Sequence, residues 1–131
     1  PVYFDTLRAC LKPGGKAGLQ VITIDEKAFE DYKANPDFIQ KYIFPGGMLP
    51  TVAHLSDAGK KAGLSLVSNF GFGHDYARTL AEWRVKFWEV WEGLQPLGFD
   101  QRFKRLWEFY FFYCEAGFRT RNIDVRHVVY S

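Results

Sequence analysis

The sequence lacks most of the features that reveal a function at once. It has two cysteines and one methionine among 131 residues. Cys10 and Cys114 lie far apart and make no CxxC or zinc-ligand spacing, so the pattern offers neither a redox pair nor a metal site. Both read as small buried hydrophobes in a reducing compartment. No stretch of about 18 apolar residues is available to cross a bilayer, and no signal peptide is evident. The formal charge is only +2 and no Lys/Arg run builds up, which argues against nucleic acid. GxSxG, HExxH, a P-loop and GxGxxG are all missing. Gly71-Phe72-Gly73 is a bare GxG without its third glycine and reads as a loop. The expectation is a soluble, cytoplasmic chain that touches a membrane only at its surface.

Aromatic residues, by contrast, are plentiful. Thirteen Phe, seven Tyr and four Trp make up 18% of the chain. Rings of this size let a short chain bury a core, and they also suit the wall of an apolar pocket. Composition leaves both readings open. The chain begins at Pro1 without methionine, already within the amphipathic segment Val2, Phe4, Leu7, Leu11. Truncation is therefore expected, with residues 1–131 forming a single partial domain.

Residues 2–11 read as a short helix stopped by Lys12-Pro13-Gly14-Gly15, a turn sequence. The run from Lys16 to Ile24 is nearly all apolar and suits an interior strand of a parallel sheet. From Asp25 to Tyr42 the spacing is helical, broken at Asn35-Pro36, so two short helices are predicted there. Phe44-Pro45-Gly46-Gly47 is a second break. A helix over 50–62, capped by Gly63, leads to a period-two strand over 64–70. Tyr76, Leu80, Trp83, Phe87, Val90, Trp91 and Leu94 then form one helical stripe, and Phe99, Phe103, Leu106, Trp107, Tyr110 and Cys114 a second. The pair predicts an antiparallel hairpin with an aromatic seam. Valine-rich alternation from Ile123 to Tyr130 predicts a closing strand.

Gln20 is the one amide side chain in the first apolar run. It is either a buried amide satisfied by neighbouring backbone or a group facing a ligand near a strand end. Tyr76 opens the long helix beside His74 and Asp75, and its place in the stripe also suits a core tyrosine. His74 reads as a surface loop residue, and Gly46 and Gly47 as turn glycines that could flank a ligand entrance. Arg78, Arg102, Arg105 and Arg119 are ordinarily solvated or paired, although a phospholipid head group would suit them too.

These segments together resemble a known family. Phe4-Asp5-Thr6-Leu7, Leu11-Lys12-Pro13-Gly14-Gly15 and Leu19-Gln20-Val21-Ile22 are similar to a late helix and strand of class I S-adenosylmethionine-dependent methyltransferases. More specifically, Asp37 to Pro50 (DFIQKYIFPGGMLP) and Asp75 to Trp83 (DYARTLAEW) resemble cyclopropane-fatty-acid and mycolic-acid cyclopropane synthases. Arg102-Phe103 and Cys114-Glu115-Ala116-Gly117-Phe118-Arg119 complete the pattern.

The resemblance implies an α/β fold: the C-terminal part of a Rossmann-like sheet with three strands of mixed direction, the last antiparallel and inserted between the other two, and aromatic-rich helices added. It implies transfer of a methyl or methylene group from S-adenosylmethionine to the cis double bond of an unsaturated phospholipid acyl chain at the inner face of the membrane. Bicarbonate is the implied base. Its tyrosine falls on Tyr76 and a backbone contact on Ile22, while the family histidine is replaced by Gln20. Glutamine can donate a hydrogen bond but cannot carry a proton, which leaves open a cyclopropane, methyl-branched or methylene product. Phe44, Gly46, Gly47, Trp83 and Tyr110 are the implied substrate-binding positions. No cofactor-binding residue and no metal ligand falls within these residues, so the piece alone is expected neither to bind the cofactor well nor to catalyse. The exposed edge of the first strand is expected to invite self-association. Two other readings stay open: an acyl-chain or lipid-binding module without chemistry, and a methyltransferase for a small molecule or protein.

Overall fold

The computed structural model describes residues 2–131. They form two compact units, residues 2–72 with 123–131 and residues 73–122. In the first unit, α1 (Val2–Cys10) precedes β1 (Ala17–Ile24), followed by α2 (Phe29–Ala34) and a π-turn over Ile39–Ile43. Then come α3 (Val52–Lys61), β2 (Leu66–Gly71) and, after the second unit, β3 (Ile123–Tyr130). The second unit holds α4 (Gly73–Leu94), a 3₁₀ turn (Gln95–Leu97) and α5 (Gln101–Arg119).

The sheet order is β1-β3-β2, so the last strand in sequence is central in space. β3 runs antiparallel to both neighbours. The mixed directions expected take this form: β1 and β2 run alike but never pair, and each described ladder is antiparallel. β1 is therefore not an interior strand of a parallel ladder among the described residues. Its hydrophobicity comes from serving one packed face along its whole length and the other face near Ile22 and Ile24.

Direct cross-strand partners lie on the same face of an antiparallel sheet. Leu19 faces Val128 and Ala17 faces Tyr130. Val128 and Tyr130 define the core with Phe4, Leu55 and Leu64, and Leu19 packs against it with Leu7, Leu11, Ala58 and Ala62. The opposite face carries Gln20 against His127 and Ile22 against Val125, with Phe70 of β2 on the far side of His127.

Local chemistry sets the helix ends. Thr51 caps α3 by accepting from the His54 amide at 3.2 Å, and His54 Nδ1 accepts from the Thr51 amide at 3.3 Å, a capping box with imidazole in the usual glutamate role. Gly63, with φ of +74°, ends it as expected. Asp100 caps α5 by accepting from the Phe103 amide at 2.8 Å. Cys10 departs from expectation: it is exposed, because it occupies the outward side of the last turn of α1, whereas Cys114 is buried as expected. His74, expected in a loop, lies in the first turn of α4.

Tyr130 ties this core together. It is completely buried, meets the Phe4 ring edge-on at 5.3 Å, and donates its hydroxyl to the Leu55 carbonyl at 3.0 Å. Burial pushes its phenol up, so the hydroxyl remains a donor across the physiological range. The ring lies directly over Gly59, where an added Cβ would stand 2.6 Å from the ring carbon Cε1. Gly59→Ala gains about 1 kcal/mol of helix propensity but overpacks a ring held by a hydrogen bond, which costs about 1–3 kcal/mol. Urea unfolding of Gly59→Ala should show net destabilisation; a midpoint above wild type would mean the ring can yield.

Candidate functional site

Gln20 does not behave as a buried amide. Its side chain is exposed on the sheet face opposite the α1/α3 core, where Oε1 lies 3.0 Å from His127 Nε2. An amide and an imidazole at this distance form one hydrogen bond, with either side chain able to supply the proton. The Phe72 ring stands 4.5 Å from the imidazole, centroid to centroid, and Phe72 N–H donates to the Val125 carbonyl at 2.9 Å, extending the ladder past β2. Sequence reasoning missed His127. Its one available signal was period-two alternation, which puts residues 123, 125, 127 and 129 on one face; the match to Gln20 requires the register of strands 107 residues apart.

The Phe44, Gly46 and Gly47 positions form an exposed turn in the same unit. Pro45 precedes Gly46, whose φ is +79°, and the Gly47 amide donates to the Phe44 carbonyl at 2.9 Å, a type II turn. Gln40 clamps it: Nε2 donates to the Gly47 carbonyl at 3.0 Å, while Oε1 accepts from the Asp37 amide at 2.9 Å. Gly46 thus answers a backbone requirement, and the DFIQ and PGG segments of the motif are joined by one side chain.

In the second unit, α4 and α5 meet along the predicted aromatic seam. Phe87 contacts Trp91, Phe103 and Phe111, and Trp107 contacts Phe103, Tyr110 and Phe111, at centroid distances of 5.1–6.4 Å. Tyr76 is half-buried at the other end, edge-on to Phe118 at 5.2 Å and to Trp83 at 5.9 Å. Tyr110 interacts with Cys114 and Tyr76; burial, reinforced by both, pushes its phenol well above the usual range and keeps it a neutral donor. The predicted stripe on α4 is not wholly interior: Trp83 and Val90 are exposed, because the apolar positions span more of the helix than α5 can cover. Thus Tyr76, Trp83 and Tyr110 gather in this unit, and Gln20 and Ile22 share a strand face in the other.

Charge inside the hairpin is paired. Glu115 accepts from Arg119 at 2.9 Å and from Arg84, whose guanidinium also lies 3.9 Å from the Phe112 ring centroid. Arg78 pairs with Glu82, so Arg78 and Arg119 are engaged within their own helices.

The described residues do not fit S-adenosylmethionine. Of the turns leading from strand to helix, residues 25–28 contain no glycine. In the other, Gly71 makes room for the chain's own Asp124 carboxylate, which would collide with any Cβ there and is paired with Arg126 at 2.9 Å. No group of His, Cys, Asp and Glu suited to a metal occurs among the described residues.

A last strand inserted antiparallel between two strands that run alike is the C-terminal architecture of a class I methyltransferase. Residues 1–128 match the sequence model of mycolic acid cyclopropane synthetase, and the chain belongs to that family. It is 41% identical over 126 residues to the tuberculostearic acid methyltransferase of Mycobacterium tuberculosis, covering 95% of this chain and 30% of that protein. It is 34% identical over 129 residues to the cyclopropane-fatty-acyl-phospholipid synthase of Escherichia coli, covering 98% and 32%. The solved cyclopropane synthase MmaA2 of Mycobacterium tuberculosis superposes with a TM-score of 0.84 at 25% identity, covering 98% of this chain and 48% of that one. A mycolic acid cyclopropane synthase complexed with SAH and CTAB shares the fold, with a TM-score of 0.85 at 21% identity over 98% and 48%. The chain therefore spans about a third of the length of the curated relatives it matches.

The Glu115 pairing has a pH signature. Burial works to raise its carboxyl, but the hydrogen bonds and charges of Arg119 and Arg84 outweigh it and hold the carboxyl below its usual range. A lowered folded value stabilises above the unfolded pKa of about 4.3, and that stability is lost as pH falls through the folded value. All four tryptophans lie in 73–122, so their fluorescence reports this unit alone. Glu115→Gln should lower its stability at pH 7 by about 1–3 kcal/mol, the worth of hydrogen bonds to charged groups, and flatten its loss in acid. An unchanged acid limb would show that the pairing contributes nothing.

Proposed function

We propose that this chain is part of an enzyme that transfers a methyl or methylene group to the cis double bond of an unsaturated acyl chain in a phospholipid. S-adenosylmethionine supplies the one-carbon group, bound by residues of the whole protein outside this chain. The observation that carries the reading is the in-order match of 128 residues to cyclopropane synthases, through both specific motifs. The relatives' names support acyl lipids as substrates. The α4–α5 seam supports an acyl chain physically: an apolar chain is favoured by contact with aromatic carbon, at about 25 cal/mol per Å² buried. In this reading Trp83, Tyr110 and the Phe44-Gly46-Gly47 turn contact the acyl substrate. The Tyr76 hydroxyl and the Ile22 backbone hydrogen-bond bicarbonate, with Gln20 supplying an amide.

No helix among the described residues is long and apolar enough to cross a membrane. Phospholipid is then reached from the membrane surface, at the cytoplasmic inner face, as a peripheral encounter. The edge of β1 away from β3 has no partner among the described residues, and it fits a further strand, from the same protein or from a second copy.

The test is the whole protein incubated with S-adenosylmethionine and vesicles of cis-monounsaturated phosphatidylethanolamine or phosphatidylglycerol. A 14 Da gain per acyl chain is expected; proton NMR then separates a cyclopropane from an exocyclic methylene. Tyr76→Phe should lower turnover about 100-fold, as loss of one positioned donor does, with lipid binding retained. Vesicle binding without any mass gain would favour a lipid-binding module instead.

A further inference from the structure

We propose that the outward face of α5 is a docking surface for an anionic phospholipid bilayer. The proposal rests on the functional reading above for its choice of phospholipid, and it names the face that meets the membrane. α5 carries two stripes. Phe103, Phe111 and Phe118 meet Phe87 and Tyr76 of α4 along the seam. On the opposite side Arg102, Arg105, Phe109, Phe112 and Ala116 recur at three- and four-residue steps, with Tyr113 beside them. Both arginines are exposed, and Phe109, Phe112 and Tyr113 keep 51%, 50% and 40% of their surface in the open. Phe109 and Tyr113 stack at 5.8 Å with 21° between their planes, so the two rings present one apolar slab.

The stability of the hairpin gives no reason for this stripe. Rings left half in water forgo much of the gain of burial, and a cation in the first turn, as Arg102 is, opposes the helix dipole. Clustered exposed rings mark an interaction surface. Charge then selects what it meets. α5 has two carboxylates, and both turn towards α4: Glu108 accepts from the Trp88 indole at 2.7 Å, and Glu115 accepts from Arg84. The outward stripe thus carries cations and rings with no anion of its own. This is the composition of a helix lying in a membrane interface, with rings at the head-group boundary and guanidinium groups on lipid phosphate. Two copies of the face would bring cations together with no carboxylate between them, whereas anionic lipid supplies the missing charge. Burying the same arginines against another part of the protein would need carboxylates to pair them.

Vesicle sedimentation of the whole protein tests this, using equal parts phosphatidylglycerol and phosphatidylcholine beside phosphatidylcholine alone. Wild type should prefer the anionic vesicles. Arg102→Gln/Arg105→Gln should lose about fivefold in affinity per charge removed, and Arg102→Lys/Arg105→Lys, which keeps the charge, should bind as wild type does. Phe109→Ser/Phe112→Ser should lose about tenfold or more, because the rings no longer leave water on docking. Wild type indifferent to lipid charge overturns the proposal. So does a folded glutamine or serine variant that binds within about twofold of wild type, or a lysine variant as weak as the glutamine one. Sedimentation velocity adds a further outcome: variants that split a wild-type dimer while binding vesicles unchanged make the face a subunit contact, and the proposal falls. Turnover is read separately. If binding follows the expected pattern but no acyl chain gains mass, the docking surface stands and the functional reading fails. If acyl chains gain mass while every variant binds as wild type, the reaction stands and the docking surface fails.

Discussion

Everything in the first unit depends on β3 lying between β1 and β2. Among the described residues those two strands run in the same direction and never pair, so residues 123–130 supply the ladder partners of both. The same eight residues serve both faces. Val128 and Tyr130 reach into the core beneath α1 and α3, and the Tyr130 hydroxyl satisfies the Leu55 carbonyl within α3. Val125 and His127 face the other way. Because a one-residue slip would exchange these sets, the hydrogen bond from Tyr130 and the packing over Gly59 fix the register that sets His127 against Gln20.

The local grammar was readable because it rests on short-range physics. Pro13-Gly14, Pro45-Gly46, Gly63 and Gly98 fall where the backbone turns, and all four glycines adopt the positive φ that glycine tolerates. The aromatic stripes at three- and four-residue steps gave both hairpin helices, since an amphipathic helix repeats on that period. What could not be read were quantities set by strand partners. The hydrophobic run at 17–24 resembles an interior strand whether its neighbour is parallel or antiparallel. Cys10 looked buried because its helix is amphipathic, yet its own position faces outward. Trp83 and Val90 continue a stripe in sequence but exceed what one partner helix covers.

The candidate site divides along the same line. Tyr76, Trp83 and Tyr110 were legible because they sit on two helices joined by a short turn, so sequence spacing nearly fixes who meets whom. The DYARTLAEW motif looks like a recognition sequence, and part of it has a plain structural reason: Ala77 and Leu80 are buried, while Arg78 and Glu82 pair on the outside. In IFPGG, likewise, the second glycine's carbonyl is held by Gln40, seven residues earlier. Motif residues thus carry both turn geometry and chemistry, and only the structure separates the two.

Residue 20 shows how far a single position can mislead. Read along the chain, glutamine at position 20 is a polar interruption of an apolar strand. Read across the ladder, the pair is what matters: an amide and an imidazole joined at 3.0 Å, on strands whose register is fixed by the core. The unit presented on that face is the pair of side chains, and either strand can carry either member without altering the face's polarity or charge.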